Sequence, residues 1–311
     1  MKFYNFMYGK FKEWKIKNRA KIEEWKLTFR VIMKSPLALA GLLLVLAFLI
    51  IATIGPYISP YDPYKINFEE MLQPPSFKHP FGTDEYGRDI FSRVLHGARI
   101  SLTVGIITLS ISVPLGVFLG LISGYYGGVV DEIIMRITDI FLAFPGLILA
   151  MALSAAMGSG IVTVMIALSL VWWPYYVRLA RGQVLSIKES LFIEAAKALG
   201  LNDFWIMVRH ILPNIISPII VLATMDMGGV ILTAAALSFI GLGAKPPTPE
   251  WGRLVADGQP YFPEYWWYVF FPGIIIFLTV LGFNLLGDGI RDALDPKIRR
   301  SIEFKEKEVR E

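Results

Sequence analysis

The 311-residue chain is 55% hydrophobic and 18% charged, with 30 Lys and Arg against 26 Asp and Glu and a mean hydropathy of +0.54. Soluble domains carry about a quarter charged residues; here the apolar residues gather into non-alternating runs of about 18 or more, which excludes a soluble domain and a transmembrane β-barrel and requires spanning helices. Cysteine is absent, which removes disulfides and thiolate metal sites from consideration.

Residues 1–34 form a basic tail. Within it Phe11, Trp14, Ile22, Trp25, Phe29 and Ile32 share one helical face ringed by lysines and interrupted by Asn18. That suits either a helix lying in the membrane interface or a basic leader that sets topology only. Residues 35–100 hold a first span, Leu37–Ile54, and a segment rich in Pro, Tyr and charge. The basic leader is too long for a signal peptide, and "IGPYISPYDP" lacks a small-x-small cleavage pattern, so the span is retained. A short amphipathic helix is expected near Asp89–His96.

Residues 101–290 form a core of five further spans: Ser101–Ser123, Ile140–Met157, Ile161–Tyr176, Ile215–Ile240 and Tyr268–Leu286. Gly116, Gly120, Gly124 and Gly128 lie four apart in the first of these. They make a groove for close helix packing, either inside this chain or against another subunit. Pro114, Pro145 and Pro174 permit bends, and Gly158–Gly160 reads as a tight turn. Trp172, Trp173, Tyr175, Tyr176, Trp251, Tyr261, Trp266, Trp267 and Tyr268 cluster where spans meet water and are expected to be interface anchors. "GLGAKPPTPEWG" is a proline-stiffened loop suited to a docking ledge. Asp226, near the middle of the fifth span, must face protein or water. It either lines a polar pathway that attracts an ammonium group, or is a protonated or hydrogen-bonded packing residue.

Between the fourth and fifth spans, residues 186–213 contain an ordered charged element. Ser186 and Glu189 match a capping box. Glu194, Ala195 and Ala196 follow on a helix that Gly200 is placed to end in a left-handed conformation. Asn202 or Asp203 then caps a second helix that runs through Leu212 and Pro213 into the fifth span. Small side chains let another protein approach the backbone closely, so the element is a handle for a partner. A tail, 291–311, closes the chain.

Of the 30 Lys and Arg, 23 fall on the side of the amino terminus if the spans alternate, which places both termini in the cytoplasm. The exception is the external segment, where Arg88, Arg93 and Arg99 lie close to the second span. No GxxxxGK[ST], HExxH or GxSxG motif occurs, so neither a phosphate-cradling ATPase loop nor a hydrolase centre is expected. His79, His96 and His210 are far apart and read as surface or interface residues rather than metal ligands. The net charge of +4 is topological bias, and nucleic-acid binding is not expected.

"EAAKALG…LP", with Glu194, Ala195, Ala196, Gly200, Leu212 and Pro213, resembles the EAA loop of ATP-binding-cassette importer permeases. "HPFGTDEYGRDIFSRVLHGARISL", "ALSFIGLG", "PEWG", "GDGIRDALDP" and the first span with its flanks are similar to the C-type permease of the dipeptide/oligopeptide/nickel class. The resemblance runs from about Phe29 to Arg299. It implies a six-helix, all-α, type I importer permease in a prokaryotic cell membrane, non-catalytic and without a cofactor of its own. Its expected partners are a second, B-type permease, two cytoplasmic ATPases carrying ATP and Mg, and an external substrate-binding protein. It also implies that Glu194, Ala195, Ala196, Gly200, Leu212 and Pro213 couple to an ATPase. Peptides are the expected cargo, with oligosaccharides or nickel as alternatives in the same class. The rival without a motor, a channel or proton-coupled carrier, requires intramembrane ionisable relays, and the spans offer chiefly Asp226.

Overall fold

The computed structural model describes residues 30–295, so most of the amphipathic pattern of residues 11–34 and the end of the carboxyl tail lie outside the described residues. The described chain is helical, with one isolated antiparallel bridge, Thr83 to Asp89. Helix α1 (Pro36–Ile58) starts at Ser35, whose hydroxyl accepts the Ala38 N–H at 3.4 Å, with a proline in the first turn where no N–H is needed. Helix α2 (Ile90–Tyr126) is capped by Asp89, which accepts the Ser92 N–H at 2.7 Å. The amphipathic helix expected near Asp89–His96 is therefore the first quarter of α2 and not a separate element. Gly97 does not break it, because that position is filled by a neighbour: a Cβ there would meet the Pro249 carbonyl oxygen at 2.3 Å.

Helices α3 (Gly128–Leu142) and α4 (Gly146–Met157) meet at an 88° bend. The expected continuous span Ile140–Met157 is thus broken. Pro145 has no N–H to continue the ladder, disfavours helical geometry at Phe144, and caps α4 instead. Helix α5 (Ile161–Ile187) runs through Pro174, and α6 (Leu191–Ala198) is short. Helix α7 (Asp203–Phe239) continues through a π-helical turn at Ile206–Ile211 and past Pro213, where Asn214 Nδ2 donates to the His210 carbonyl at 2.6 Å. Helices α8 (Trp251–Gly258) and α9 (Trp267–Leu294) complete the described residues. Among the described residues five helices are long and apolar enough to cross a membrane, and six spans result when the bent pair is taken as one.

The packing centre is α2 against α5. Added Cβ atoms at Gly116, Gly120 and Gly124 would fall 2.5 Å from the Trp173 carbonyl oxygen and 2.7 Å from the Ala180 and Val184 Cβ atoms. These three glycines therefore serve packing within the chain. Gly128 does not extend the stripe: α2 ends at Gly127, and Gly128 (φ +54) has nothing within 4 Å of an added Cβ. Helix α1 lies on α9, with Gly41 against Leu285–Leu286 and Gly289 against Ala38.

The segment between α1 and α2 is folded rather than loose. Asp84 accepts Arg88 Nε at 2.6 Å and stands 3.5 Å from Arg93 Nε, and all three side chains are buried. His79 is buried too, contrary to its surface reading; its Nδ1 is 2.9 Å from Asp89 Oδ1. Phe81 stacks on Phe271 of α9, and Tyr268 donates to Glu85. Burial pushes the Glu85 carboxyl above the usual range. Several expected interface anchors are core residues: Trp251 is wholly buried with its indole N–H on the Val94 carbonyl at 3.0 Å, and Trp173, Tyr176, Trp267 and Tyr268 are also buried. Trp266 and Tyr175 remain exposed. In the proline-rich loop, Glu250 is buried and caps α8 through the Gly252 and Arg253 N–H groups. Burial holds its carboxyl above the ordinary range despite those bonds.

Candidate functional site

The element between α5 and α7 is built in four steps. Helix α5 continues to Ile187, so Ser186 sits in its last turn and donates to the Gln183 carbonyl at 2.7 Å. The expected capping box at Ser186 does not form, and Ser190 is the N-cap residue of α6. Along α6, Ile193 and Ala196 are buried while Glu194, Ala195 and Lys197 face outward. Gly200 adopts φ +73, its N–H bonding to the Lys197 carbonyl at 2.9 Å and that of Leu201 to the Ala196 carbonyl at 3.2 Å. This crossed pair is the Schellman closure that a left-handed residue permits. Asn202 then caps α7, accepting the Phe204 N–H at 2.9 Å.

Beneath α6 lies the π turn of α7, with Ile206 and Ile211 fully buried. A second tie comes from the end of α2: Tyr125 OH donates to Asp203 Oδ1 at 2.6 Å, and Lys197 Nζ lies 5.5 Å from the Tyr125 ring. The outer edge carries exposed apolar groups, with Leu191 and Leu199 each 82% exposed and Phe204 and Trp205, which meet edge to face, about half exposed. Leu212 is partly buried and Pro213 exposed, both inside the continuous α7. The structure therefore gathers Glu194, Ala195, Ala196 and Gly200 on one short rigid element and sets Leu212 and Pro213 at the foot of the span it feeds.

Asp226 stands apart, midway along α7. It accepts the Tyr176 hydroxyl at 2.7 Å, and Tyr176 is fully buried against Gly116. The carboxylate is hydrogen-bonded within the chain. Among the described residues no group of three or more His, Asp or Glu side chains is placed to hold a metal. A small helix, closed at its carboxyl end by the left-handed turn at Gly200, leads directly into a 37-residue span.

Sequence reasoning missed Tyr125 and the pairing of Tyr176 with Asp226. Tyr125 follows the glycine stripe as one of two adjacent tyrosines, and Tyr176 reads as an anchor in an aromatic cluster. Neither carries a spacing signal linking it to a partner 50 or more residues away.

The sequence profile of the family described as "Binding-protein-dependent transport system inner membrane component" matches residues 116–300. That of the "N-terminal TM domain of oligopeptide transport permease C" matches residues 24–75. The chain is 46% identical over 278 residues to the dipeptide transport system permease protein DppC of Alkalihalophilus pseudofirmus, covering 89% of this chain and 91% of that one. It is 47% identical over 263 residues to the probable D,D-dipeptide transport system permease protein DdpC of Escherichia coli K12, covering 85% and 88%. It is also 44% identical over 285 residues to the glutathione transport system permease protein GsiD of Pectobacterium atrosepticum, covering 91% and 95%. Among solved structures, the inward-facing MetNI methionine ABC transporter matches with a TM-score of 0.50 at 18% identity, over 66% of this chain and 94% of that one; this speaks to the fold alone. The chain belongs to the binding-protein-dependent transport system inner membrane components and, within them, to the C-type permease subunits of the dipeptide and oligopeptide class of ATP-binding-cassette transporters.

Proposed function

We propose that this chain is the C-type half of a peptide-import pathway in a prokaryotic cell membrane, driven by ATPases on other chains. The observation that carries the proposal is the capped helix α6, seated through Ile193 and Ala196 and fused by a single left-handed turn to α7. A rigid element with an exposed apolar edge and an outward carboxylate suits the cleft of a nucleotide-hydrolysing subunit, where Glu194 meets a basic group and Ala195 and Gly200 allow close approach. Closure of two such ATPases around ATP and Mg tilts α6 and, through α7 and Tyr125, swings the spans between inward- and outward-open states. Lys and Arg bias puts α6 and both termini in the cytoplasm. The bent pair α3–α4, with Ile133, Ile137, Phe144 and Ile148 exposed, offers an apolar face to the second, B-type permease. An external binding protein delivers cargo to the opposite side. Peptides are the cargo class favoured by relatives named for dipeptides and glutathione.

The test uses the assembled complex in proteoliposomes. Glu194→Lys is expected to lower co-purification of the ATPases and abolish ATP-dependent peptide uptake. Wild-type association and uptake in that variant would remove Glu194 from the interface. Failure of peptides, with success of sugars or Ni²⁺, to stimulate ATP hydrolysis would overturn the cargo assignment alone.

A further inference from the structure

Arg88, Arg93 and Arg99 lie beside the apolar part of α2, on the side where the positive-inside bias disfavours cations. Two of them have an internal countercharge, because Arg88 and Arg93 both converge on the buried Asp84 carboxylate. Arg99 has none among the described residues: its side chain is exposed, and no ion pair or side-chain hydrogen bond joins it to any of them.

Arg99 opens into a groove of about 290 Å³ between α1 and α2. Leu49, Ala52 and Tyr57 form one wall, Leu102 and Ile106 the other. The two threonines there are occupied, Thr53 donating to the Ile50 carbonyl at 2.9 Å and Thr103 to that of Arg99 at 2.6 Å. The guanidinium is thus the groove's one ionic group, and nothing within the groove neutralises it. Depth follows from helix geometry. Arg99 lies about 14 Å from the start of α2 at 1.5 Å per residue, and two residues before the apolar run that begins at Ser101. A long basic side chain at such a boundary runs its stem along apolar surface and sets its head at headgroup level. Helix α1 is peripheral, with 28% of its apolar window buried, so the groove opens sideways toward the bilayer.

We infer that this groove binds an anionic phospholipid, its headgroup phosphate on Arg99 and an acyl chain along the α1–α2 walls. A guanidinium matches phosphate oxygens with paired N–H donors, and apolar walls beside a lone cation favour a lipid over a soluble anion. The inference draws on the permease assignment only for the presence of a bilayer.

The assembled transporter, with the native chain or with Arg99→Gln, is delipidated and titrated with phosphatidylglycerol, phosphatidylcholine or inorganic phosphate. Bound lipid is read by native mass spectrometry and thermal stability in parallel. The native chain should retain phosphatidylglycerol and be stabilised by it; Arg99→Gln should weaken that binding about 10- to 100-fold, the loss of one charge-assisted pair. Ala52→Trp, which fills the groove and keeps the charge, should abolish it and serves as the second variant if Arg99→Gln fails to assemble. Equal retention by the native chain and both variants overturns the inference, as it would if the second permease covers the groove. Equal stabilisation by inorganic phosphate or by phosphatidylcholine overturns it as well. None of these outcomes bears on peptide uptake or ATPase docking.

Discussion

Gly120→Ala probes the α2–α5 contact on which the bundle is organised. The added methyl carbon would lie 2.7 Å from Ala180 Cβ, 2.7 Å from the Val177 carbonyl oxygen and 3.0 Å from the Arg181 nitrogen. An ordinary contact is about 3.5 Å, so about 0.8 Å must be recovered. Two of the three atoms are backbone of α5 and no side-chain rotation can supply that distance. The helices must separate, and overpacking of this kind costs about 1–3 kcal/mol, or about 5- to 150-fold in the folded-to-unfolded ratio. Gly182→Ala is the matched control, since Gly182 lies on α5 itself with nothing within 4 Å of an added Cβ. Its helix-propensity gain of up to about 1 kcal/mol should appear as unchanged or raised stability. Both are measured by equilibrium unfolding of the purified chain in mixed micelles, followed by tryptophan fluorescence. Native stability in Gly120→Ala, or an equal loss in Gly182→Ala, would refute close packing as the reason for the glycine stripe.

Gly200→Val places a β-branched residue at φ +73, which costs of order 1–3 kcal/mol of local strain. Uptake should be lost with membrane insertion intact, while Gly200→Asn, which tolerates that conformation, should transport; transport by the valine variant would show that the turn is not needed. Tyr125→Phe removes the hydroxyl that grips Asp203 and leaves the ring under Lys197. ATPase association should persist while peptide moved per ATP hydrolysed falls, and an unchanged ratio would remove the tie from the coupling path. Burial raises Glu250 above its ordinary value of 4.5, so the folded protein keeps a proton that the unfolded chain releases. Its contribution is therefore most favourable below about pH 4.5 and diminishes as pH rises through the folded pKa. Glu250→Gln should flatten that part of the stability profile, and an unaltered slope would assign it to another group.

Features governed by local chemistry were legible in the residues. Gly200 and Asn202 answer to conformational requirements within a few residues, and the four-residue spacing of glycines 116, 120 and 124 marks one helix face, although the α5 atoms it meets lie far along the chain. What the residues concealed depends on contacts distant in sequence. The pattern around Ser186 satisfies a capping box, yet α5 runs on to Ile187, so Ser186 closes one helix and Ser190 opens the next. Trp251 and Tyr268 have the composition of membrane-interface anchors, but Trp251 is sealed against α2 and Tyr268 under the segment that joins α1 to α2, whose own fold rests on Asp84, Arg88 and Arg93 meeting from different turns. Hydropathy registers Ile140–Met157 as one apolar run because it is blind to direction; the right-angle break at Pro145 changes direction without changing polarity.

Helix α2 is fastened at both extremities. One end emerges from the Asp84–Arg93 cluster and its Asp89 cap, and the other, about 55 Å away at 1.5 Å per residue, is held to Asp203 by Tyr125. On the proposed reading, a rod tethered in this way would carry a stroke at one end to the folded segment between α1 and α2 at the other. If the proposed ATPase and binding protein dock at these two ends, the nucleotide state at one surface would be felt at the other through a single helix.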